Sequence, residues 1–156
     1  MIAVLQNIRS AFNVGTVLRT ADAVGIKKVY LCGYTPAPVD NLSKAHKEII
    51  KVSLGAESYV DWEKVSSTTA LLKKLKKEGY KIVVVELAKN SQKYYKFKPK
   101  SLDKIVLVVG NEIRGVSKPV MDLADKIIEI PMLGKKESLN VGVAFAIVAY
   151  RLKFPE

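Results

Sequence analysis

Residues 104–110, KIVLVVG, and residues 80–88, YKIVVVELA, are near-continuous runs of β-branched and other apolar residues. A half-exposed strand alternates apolar and polar residues, whereas a strand covered on both faces of a sheet is apolar along its length. Both runs therefore predict strands in the interior of a parallel sheet.

Shorter strand patterns alternate with helical patterns along the rest of the chain. Strands are predicted in IAVLQ (2–6), KKVYLCG (27–33), SYVDW (58–62) and KIIEIPM (126–132), and helices over 13–24, 43–52, 67–78, 117–124 and 138–153. Asn13 is the expected N-cap of the first helix, and Ser66 or Ser67 that of the third. The alternation predicts an α/β fold with a mostly parallel sheet of about six strands and helices on both faces.

The composition fits one domain over residues 1–156. With 26 Lys and Arg against 15 Asp and Glu, the net charge of +11 favours a polyanionic partner such as nucleic acid, or else serves solubility alone. Cys32 is the only cysteine, so we expect no disulfide and no metal site. No segment resembles a signal peptide or a membrane span, which favours a cytoplasmic setting.

Loops that follow strands at the carboxyl edge of such a sheet are where ligands usually bind. The loop at 7–12 places Arg9 near a helix N-terminus, which suits a phosphate, although it is also explained as an exposed arginine beside a cap. The loop GNEIRGVSKP at 110–119 has glycines for tight turns but matches neither the P-loop nor the GxGxxG pattern, so ATP and NAD are disfavoured.

The third candidate loop opens the last helix, whose residues 141–150, VGVAFAIVAY, are apolar nearly all round. Ser138 or Asn140 is the expected cap. Such a helix must be buried on more than one side, either within the chain or against a second subunit.

Two basic segments lie outside these helices. KYYKFKPK at 93–100 interleaves cations with aromatic rings, as a surface for single-stranded nucleic acid does. Lys135 and Lys136 lie beside the third loop and are placed to meet a phosphate, whereas the lysines of 73–77 are expected on a solvated helix face. His46 is expected at the surface without a partner.

Three of these segments, in this order, resemble the SpoU branch of the SPOUT methyltransferases. They are NIRSAFNVGTVLRTADAVG (7–25), LVVGNEIRGVSKPVMDLADKIIEIPM (107–132) and ESLNVGVAFAIVAY (137–150), with KVSLGAE (51–57) as a further similarity. The resemblance implies S-adenosylmethionine as methyl donor, a tRNA or rRNA ribose 2′-hydroxyl as acceptor, a C-terminal trefoil knot, and a homodimer through the first and last helices. No RNA-binding extension is expected at either end.

The same resemblance implies roles for individual residues. The positions that match the family's catalytic residues are Asn13, Arg19, Glu112, Ser138 and Asn140. Those that match its donor-binding residues are Leu107, Val109, Gly110, Asn111, Ile130, Met132, Ser138 and Leu139, and those expected near RNA are Arg9, Arg19, Lys135 and Lys136. A guanidinium stays protonated above pH ~12, so we assign Arg19 to a phosphate and a developing alkoxide, not to proton removal.

Two other functions remain open at this point. A basic α/β protein could bind structured RNA without chemistry, or the chain could methylate a base, as another branch of the superfamily does. The minimal form is most similar to enzymes acting on tRNA, including the anticodon wobble ribose, while rRNA stays an alternative.

Overall fold

The computed structural model describes residues 1–40 and 42–155. In these residues it contains seven strands and five α-helices. The strands are β1 (Ile2–Gln6), β2 (Lys28–Cys32), β3 (Trp62–Val65), β4 (Lys81–Val85), β5 (Gln92–Lys93), β6 (Ile105–Val109) and β7 (Lys126–Glu129). The helices are α1 (Ala11–Val24), α2 (Lys47–Ser53), α3 (Thr68–Lys77), α4 (Lys118–Met121) and α5 (Val141–Lys153), with 3₁₀ turns at Ala56–Ser58 and Tyr94–Lys96.

All seven strands form one parallel sheet in the order β3-β2-β1-β6-β4-β7-β5. The predicted fold class is confirmed, and the two apolar runs form the neighbouring interior strands β4 and β6. The seventh strand is the two-residue β5, which pairs with β7 and lies in a polar stretch that carries no strand pattern. The trefoil knot stays a prediction.

Two apolar cores cover the two faces of the sheet. Along β1, Ala3 and Leu5 face a core formed with α1, α2 and α5, while Ile2 and Val4 face a second core formed with α3 and α4. Because successive side chains of a strand point to opposite faces, a strand buried on both sides must be apolar throughout. This is why the interior strands show no alternation.

The first helix begins two residues before the predicted start. Ser10, not Asn13, is its N-cap, and the Ser10 hydroxyl accepts a hydrogen bond from the Asn13 backbone N–H at 3.3 Å. The expectation for Asn13 was wrong because a serine three residues earlier already satisfies the first turn. The Asn13 side chain is thereby free for other contacts. The Ser67 cap is confirmed, whereas the strand expected over 58–62 begins at Trp62.

The described ranges contain no helix that is long and apolar enough to cross a membrane.

A matched pair of leucines tests the second core. Leu72 on α3 is 0% exposed, whereas Leu133 is 99% exposed. We expect Leu72→Ala to lower the free energy of unfolding by ~2–5 kcal/mol, since it removes buried methyl groups and leaves a cavity. Leu133→Ala should change it by less than ~0.5 kcal/mol. Urea denaturation followed by circular dichroism measures both, and equal losses would contradict this description of the core.

Candidate active site

Several loops meet at one edge of the sheet because parallel strands end on the same side. Strands β1, β6, β4 and β7 are neighbours near the middle of the sheet, and their carboxyl ends all point to this edge. The loop after β1 leads into α1, the loop after β6 into α4, and the segment after β7 into α5. All three motif segments of the sequence therefore reach the same edge.

The Glu112 carboxylate joins the loop after β6 to the loop after β1. One oxygen accepts a hydrogen bond from the Arg9 backbone N–H at 2.9 Å. The other accepts from the Ser10 backbone N–H at 3.0 Å and from the Asn13 side-chain nitrogen at 2.9 Å. The carboxylate thus binds two N–H groups at the start of α1, where the helix dipole favours a negative charge.

The Asn13 side chain continues this connection to the last helix. It is buried, at 4% exposure, and its oxygen accepts a hydrogen bond from the Asn140 side-chain nitrogen at 2.9 Å. The Asn140 oxygen caps α5 by accepting from the backbone N–H groups of Gly142 at 2.9 Å and Val143 at 3.3 Å. We call this chain of contacts the Glu112–Asn13–Asn140 link; it connects all three motif segments.

The hydrogen bonds of the link hold Glu112 in its charged form. Partial burial of the carboxylate acts to raise its pKa, but the donors from Arg9, Asn13 and Ser10 outweigh this effect, and the pKa lies below its ordinary value of 4.5. Glu112 is therefore an anionic anchor at neutral pH. A carboxylate whose oxygens are occupied by three donors, and whose pKa is lowered, is a poor proton acceptor.

A second set of contacts fixes the loop after β6 from its other side. The Asn111 side-chain nitrogen donates to the Asn7 carbonyl at 2.8 Å and to the Tyr34 hydroxyl at 3.0 Å. Its oxygen accepts from the backbone N–H groups of Ile113 at 3.0 Å and Arg114 at 2.8 Å. The loop is thus held rigidly against β1 and the end of β2.

Two glycines make the tight turn of this loop possible. A Cβ on Gly110 would lie 2.5 Å from the Gly115 carbonyl carbon and the Val116 nitrogen, so the chain before the turn and the chain after it pack closely together. Gly115 has a positive φ of 65°, and a Cβ there would lie 2.3 Å from the Glu86 carboxylate. Glu86 accepts the Val116 N–H at 2.9 Å and so joins the end of β4 to the same loop.

A cavity opens beside the Glu112–Asn13–Asn140 link. Four segments line it: the end of β4, the loop after β6, the segment after β7 and the start of α5. They contribute Val85, Glu86, Leu87, Val109, Gly110, Asn111, Glu112, Ile113, Gly115, Glu129, Ile130, Met132, Glu137, Ser138, Leu139, Val141 and Ala144. The walls combine apolar residues with a few polar ones, as sites for small molecules commonly do.

The charged residues in this lining are all acidic. They are Glu86, Glu112, Glu129 and Glu137, in a chain whose Lys and Arg outnumber Asp and Glu by 26 to 15. Such a lining favours a cationic ligand over a phosphate, while the apolar walls suit a planar ring. The chemistry of this donor set therefore fits S-adenosylmethionine, which combines a sulfonium with an adenine ring.

Cys32 is buried in the core of the sheet. Burial raises the pKa of Cys32 to about 11, so its thiol is not a nucleophile at neutral pH. No group of three or more His, Cys, Asp or Glu side chains in residues 1–40 and 42–155 is arranged to hold a metal ion.

A family model described as "SpoU rRNA Methylase family" matches residues 1–150. The chain belongs to the SpoU family. The resemblance carried by the three motif segments is thereby confirmed.

Individual relatives and solved structures align over almost the whole chain. A tRNA (guanosine(18)-2′-O)-methyltransferase from Aquifex aeolicus is 36% identical over 96% of this chain and 67% of its own length. The AdoMet-bound rRNA methyltransferase from Sinorhizobium meliloti has a TM-score of 0.85 at 28% identity, over 96% of this chain and 54% of its own. A structure titled as giving insights into the 2-OH methylation of C/U34 on tRNA has a TM-score of 0.80 at 26% identity. The alignment covers 96% of this chain and 91% of that one.

The chain spans between about half and two thirds of the length of the first curated SpoU relatives that it matches, 67%, 56% and 63% for three of them.

The structure brings together most of the residues that the SpoU resemblance selected. Of the eight predicted donor-binding residues, seven line the cavity: Val109, Gly110, Asn111, Ile130, Met132, Ser138 and Leu139. Leu107 does not, because it lies in the middle of β6, fully buried between Ala3 and Val83 of the neighbouring strands. The donor-binding roles of these residues stay predictions.

The predicted catalytic and RNA-binding residues divide into two groups. Asn13, Glu112 and Asn140 form the link, and Ser138 lines the cavity beside it. Arg19 is exposed on α1, six residues after Asn13, which on a helix means ~9 Å along the axis and a different face. It lies with Phe12 in a separate groove, away from the cavity.

The side chains expected near RNA are all exposed. Arg9 donates its backbone N–H to Glu112 but leaves its side chain in solvent, and Lys135 and Lys136 lie in the exposed segment between the cavity residues Met132 and Glu137.

Sequence reasoning missed three of the four glutamates of the cavity. Glu86 directly follows β4 and Glu129 ends β7, so the rule that sites lie at the carboxyl ends of strands could have found both. Glu137 begins the third motif segment and had no signal of its own. Ser10 was missed because Asn13 is an equally good cap by residue type.

Replacement of the central carboxylate tests the link. We expect Glu112→Gln to lower the free energy of unfolding by about 1–2 kcal/mol at neutral pH. The side-chain nitrogen of glutamine cannot accept a hydrogen bond, so at least one of the three N–H donors loses its partner. The pKa of Glu112 is lowered in the folded state. Its contribution is therefore complete above the unfolded pKa near 4.5 and is lost as pH falls through the lower folded value.

The difference between wild type and Glu112→Gln should accordingly shrink below about pH 4.5. Urea denaturation at several pH values measures it, with the exposed Glu137→Gln as the matched control. A loss for Glu112→Gln that is independent of pH would contradict an ionic role.

Proposed function

We propose that this chain is an S-adenosylmethionine-dependent RNA methyltransferase that methylates a ribose 2′-hydroxyl. The observation that carries the proposal is the Glu112–Asn13–Asn140 link beside an acidic cavity. Three motif segments from distant parts of the chain are joined there by side-chain hydrogen bonds. The relatives named as 2′-O-methyltransferases support the reaction class.

The donor would occupy the cavity at the carboxyl edge. Val109, Ile130 and Leu139 offer apolar surface for adenine, and the backbone groups of the tight loop around Gly110 can bind its polar edge. When bound, S-adenosylmethionine supplies a methyl group on a positively charged sulfur. The glutamates of the lining stabilise that charge within the cavity.

The transfer itself depends on alignment. In the transfer, the ribose oxygen would bond to the methyl carbon as the carbon–sulfur bond breaks, which would leave a neutral thioether, and the hydroxyl proton would pass to solvent. An in-line reaction gains chiefly from a fixed arrangement of both reactants. The link fixes the start of α1 against the loop after β6 and the start of α5. Ser138, two residues before Asn140, lines the cavity and is available to the acceptor.

Arg19 enters this proposal through a second copy of the chain. The outer face of α1 and α5 carries exposed apolar side chains, Phe12 at 53%, Val143 at 47% and Tyr150 at 46%, and a monomer rarely exposes such a group. We infer a homodimer through the first and last helices that covers this face. Arg19 then lies in the interface, where it can reach the partner subunit's acceptor site and bind the target phosphate.

A tRNA is the first candidate substrate, with rRNA as the second. One relative is named as a tRNA (guanosine(18)-2′-O)-methyltransferase, and a similar structure concerns the 2-OH methylation of C/U34 on tRNA, so tRNA is supported and the wobble ribose is one candidate position. The net charge of +11 supports binding of either RNA.

A labelling experiment tests the reaction. The protein is incubated with S-adenosylmethionine labelled in its methyl group and with total RNA from its source strain lacking the gene. We expect label in the tRNA fraction, within an alkali-stable dinucleotide, because a methylated 2′-oxygen cannot attack the adjacent phosphate.

Label in an alkali-labile nucleotide would instead show base methylation. RNA binding with no transfer and no donor binding by calorimetry would support a module without chemistry. Either result overturns the proposed reaction.

A conservative substitution tests Arg19. We expect Arg19→Lys to reduce methylation on the order of 10²-fold, because lysine keeps the charge but loses the planar pair of donors. Affinity for S-adenosylmethionine should be unchanged, since Arg19 lies outside the cavity of its own chain. Near-normal turnover of this variant would remove Arg19 from the mechanism.

Mixing two inactive variants tests the partner's contribution. Arg19→Lys and Asn140→Ala protomers, allowed to exchange, should regain part of the activity, because one of the two sites in the mixed dimer then has both residues intact. No recovery in a verified mixed dimer would show that Arg19 acts within its own chain or not at all.

A further inference from the structure

We propose that residues 93–100 form a second RNA-binding surface, which holds a single-stranded segment next to the target nucleotide. The proposal takes RNA as the partner from the proposed function. We call this segment the 93–100 ridge; its sequence is KYYKFKPK.

The ridge begins at the edge of the cavity. Strand β5 is parallel to β7, and Lys93 pairs with Glu129, which lines the cavity. The carboxyl end of β5 therefore emerges on the same edge of the sheet as the proposed active site. RNA whose target nucleotide lies at the rim of the cavity can continue directly onto the ridge.

The side chains of the ridge have two different roles along its length. Tyr94 and Phe97 are partly buried and pack against the core on the α1 and α5 face. Lys93, Lys96, Lys98 and Lys100 are exposed between and beyond these anchors. The backbone is also held, because the Arg151 guanidinium donates to the Tyr95 carbonyl at 3.4 Å.

The lysines of the ridge are not used for internal ion pairs. In residues 1–40 and 42–155, none of the four forms a salt bridge, whereas Lys27, Lys28, Lys76 and Lys118 elsewhere do. Unpaired ammonium groups on an anchored backbone are suited to phosphates, whose neutralisation releases counterions.

An exposed aromatic ring accompanies these charges. Tyr95 is 39% exposed and makes an edge contact with Tyr94, with ring centroids 5.5 Å apart. Ring faces bind unstacked bases regardless of sequence, which favours a single strand over a duplex. The lysines could instead serve only to protect β5, because charged side chains at the edge of a sheet discourage pairing with a strand from another sheet.

Charge reversal separates these explanations. The variant Lys96→Glu/Lys98→Glu/Lys100→Glu keeps charges at the edge but repels phosphate. Its matched control is Lys73→Glu/Lys74→Glu/Lys77→Glu on α3, which changes the net charge equally at exposed positions on the opposite face of the sheet. Binding is measured by fluorescence anisotropy with an oligouridine of about 15 nucleotides and with total tRNA, over a series of salt concentrations.

We expect the ridge variant to lose at least about tenfold in affinity for both RNAs and to lower the salt slope by ~0.7 per lost contact. The α3 variant should lose less than about threefold, and both should bind S-adenosylmethionine as wild type does. Equal losses in the two variants, or no loss in the ridge variant, would overturn the proposal.

Tyr95→Leu tests the aromatic contribution without a change of charge, with the exposed Tyr59→Leu as its control. The first should weaken oligouridine binding by about fivefold or more and the second should not. These measurements need no methyl transfer. A wild type that binds RNA through the ridge but transfers no label would refute the proposed function and leave the ridge intact.

Discussion

An amide side chain has one donor end and one acceptor end, and Asn13 uses them in opposite directions. Its nitrogen donates to Glu112 and its oxygen accepts from Asn140. Because both partners are polar and Asn13 is buried, neither contact can be exchanged for water without cost. The positions of the loop after β6 and of α5 relative to α1 all depend on this orientation, and so does the shape of the cavity between them.

The charge distribution separates two tasks within one small protein. The surface is basic, whereas the charged residues of the cavity are glutamates. A cationic donor and an anionic RNA therefore favour adjacent but different places on the same edge of the sheet. In the proposed function, the sulfonium would lie inside the cavity and the phosphates would lie on its rim.

The fold could be predicted well because the strongest signals are local. The apolar runs of β4 and β6 identified interior parallel strands, and the loops after strands identified the edge that carries the site. The seventh strand was missed because β5 has two residues and no apolar pattern. The partners of Asn13 lie about a hundred residues or more away along the chain, and periodicity does not encode such contacts. The separation of Arg19 from Asn13 follows from helix geometry alone and is therefore predictable from the sequence.

The order of the strands also determines when this sheet can be completed. Strand β6 lies between β1 and β4, so residues near the start of the chain pair with residues about a hundred positions later. During synthesis, β1 and β2 can associate early, but β1 keeps an open flank until β6 has emerged. Closure of such distant pairs is slow, and the nascent chain exposes an apolar strand edge meanwhile. The topology thus makes the docking of β6 onto β1 a late step in the completion of the sheet.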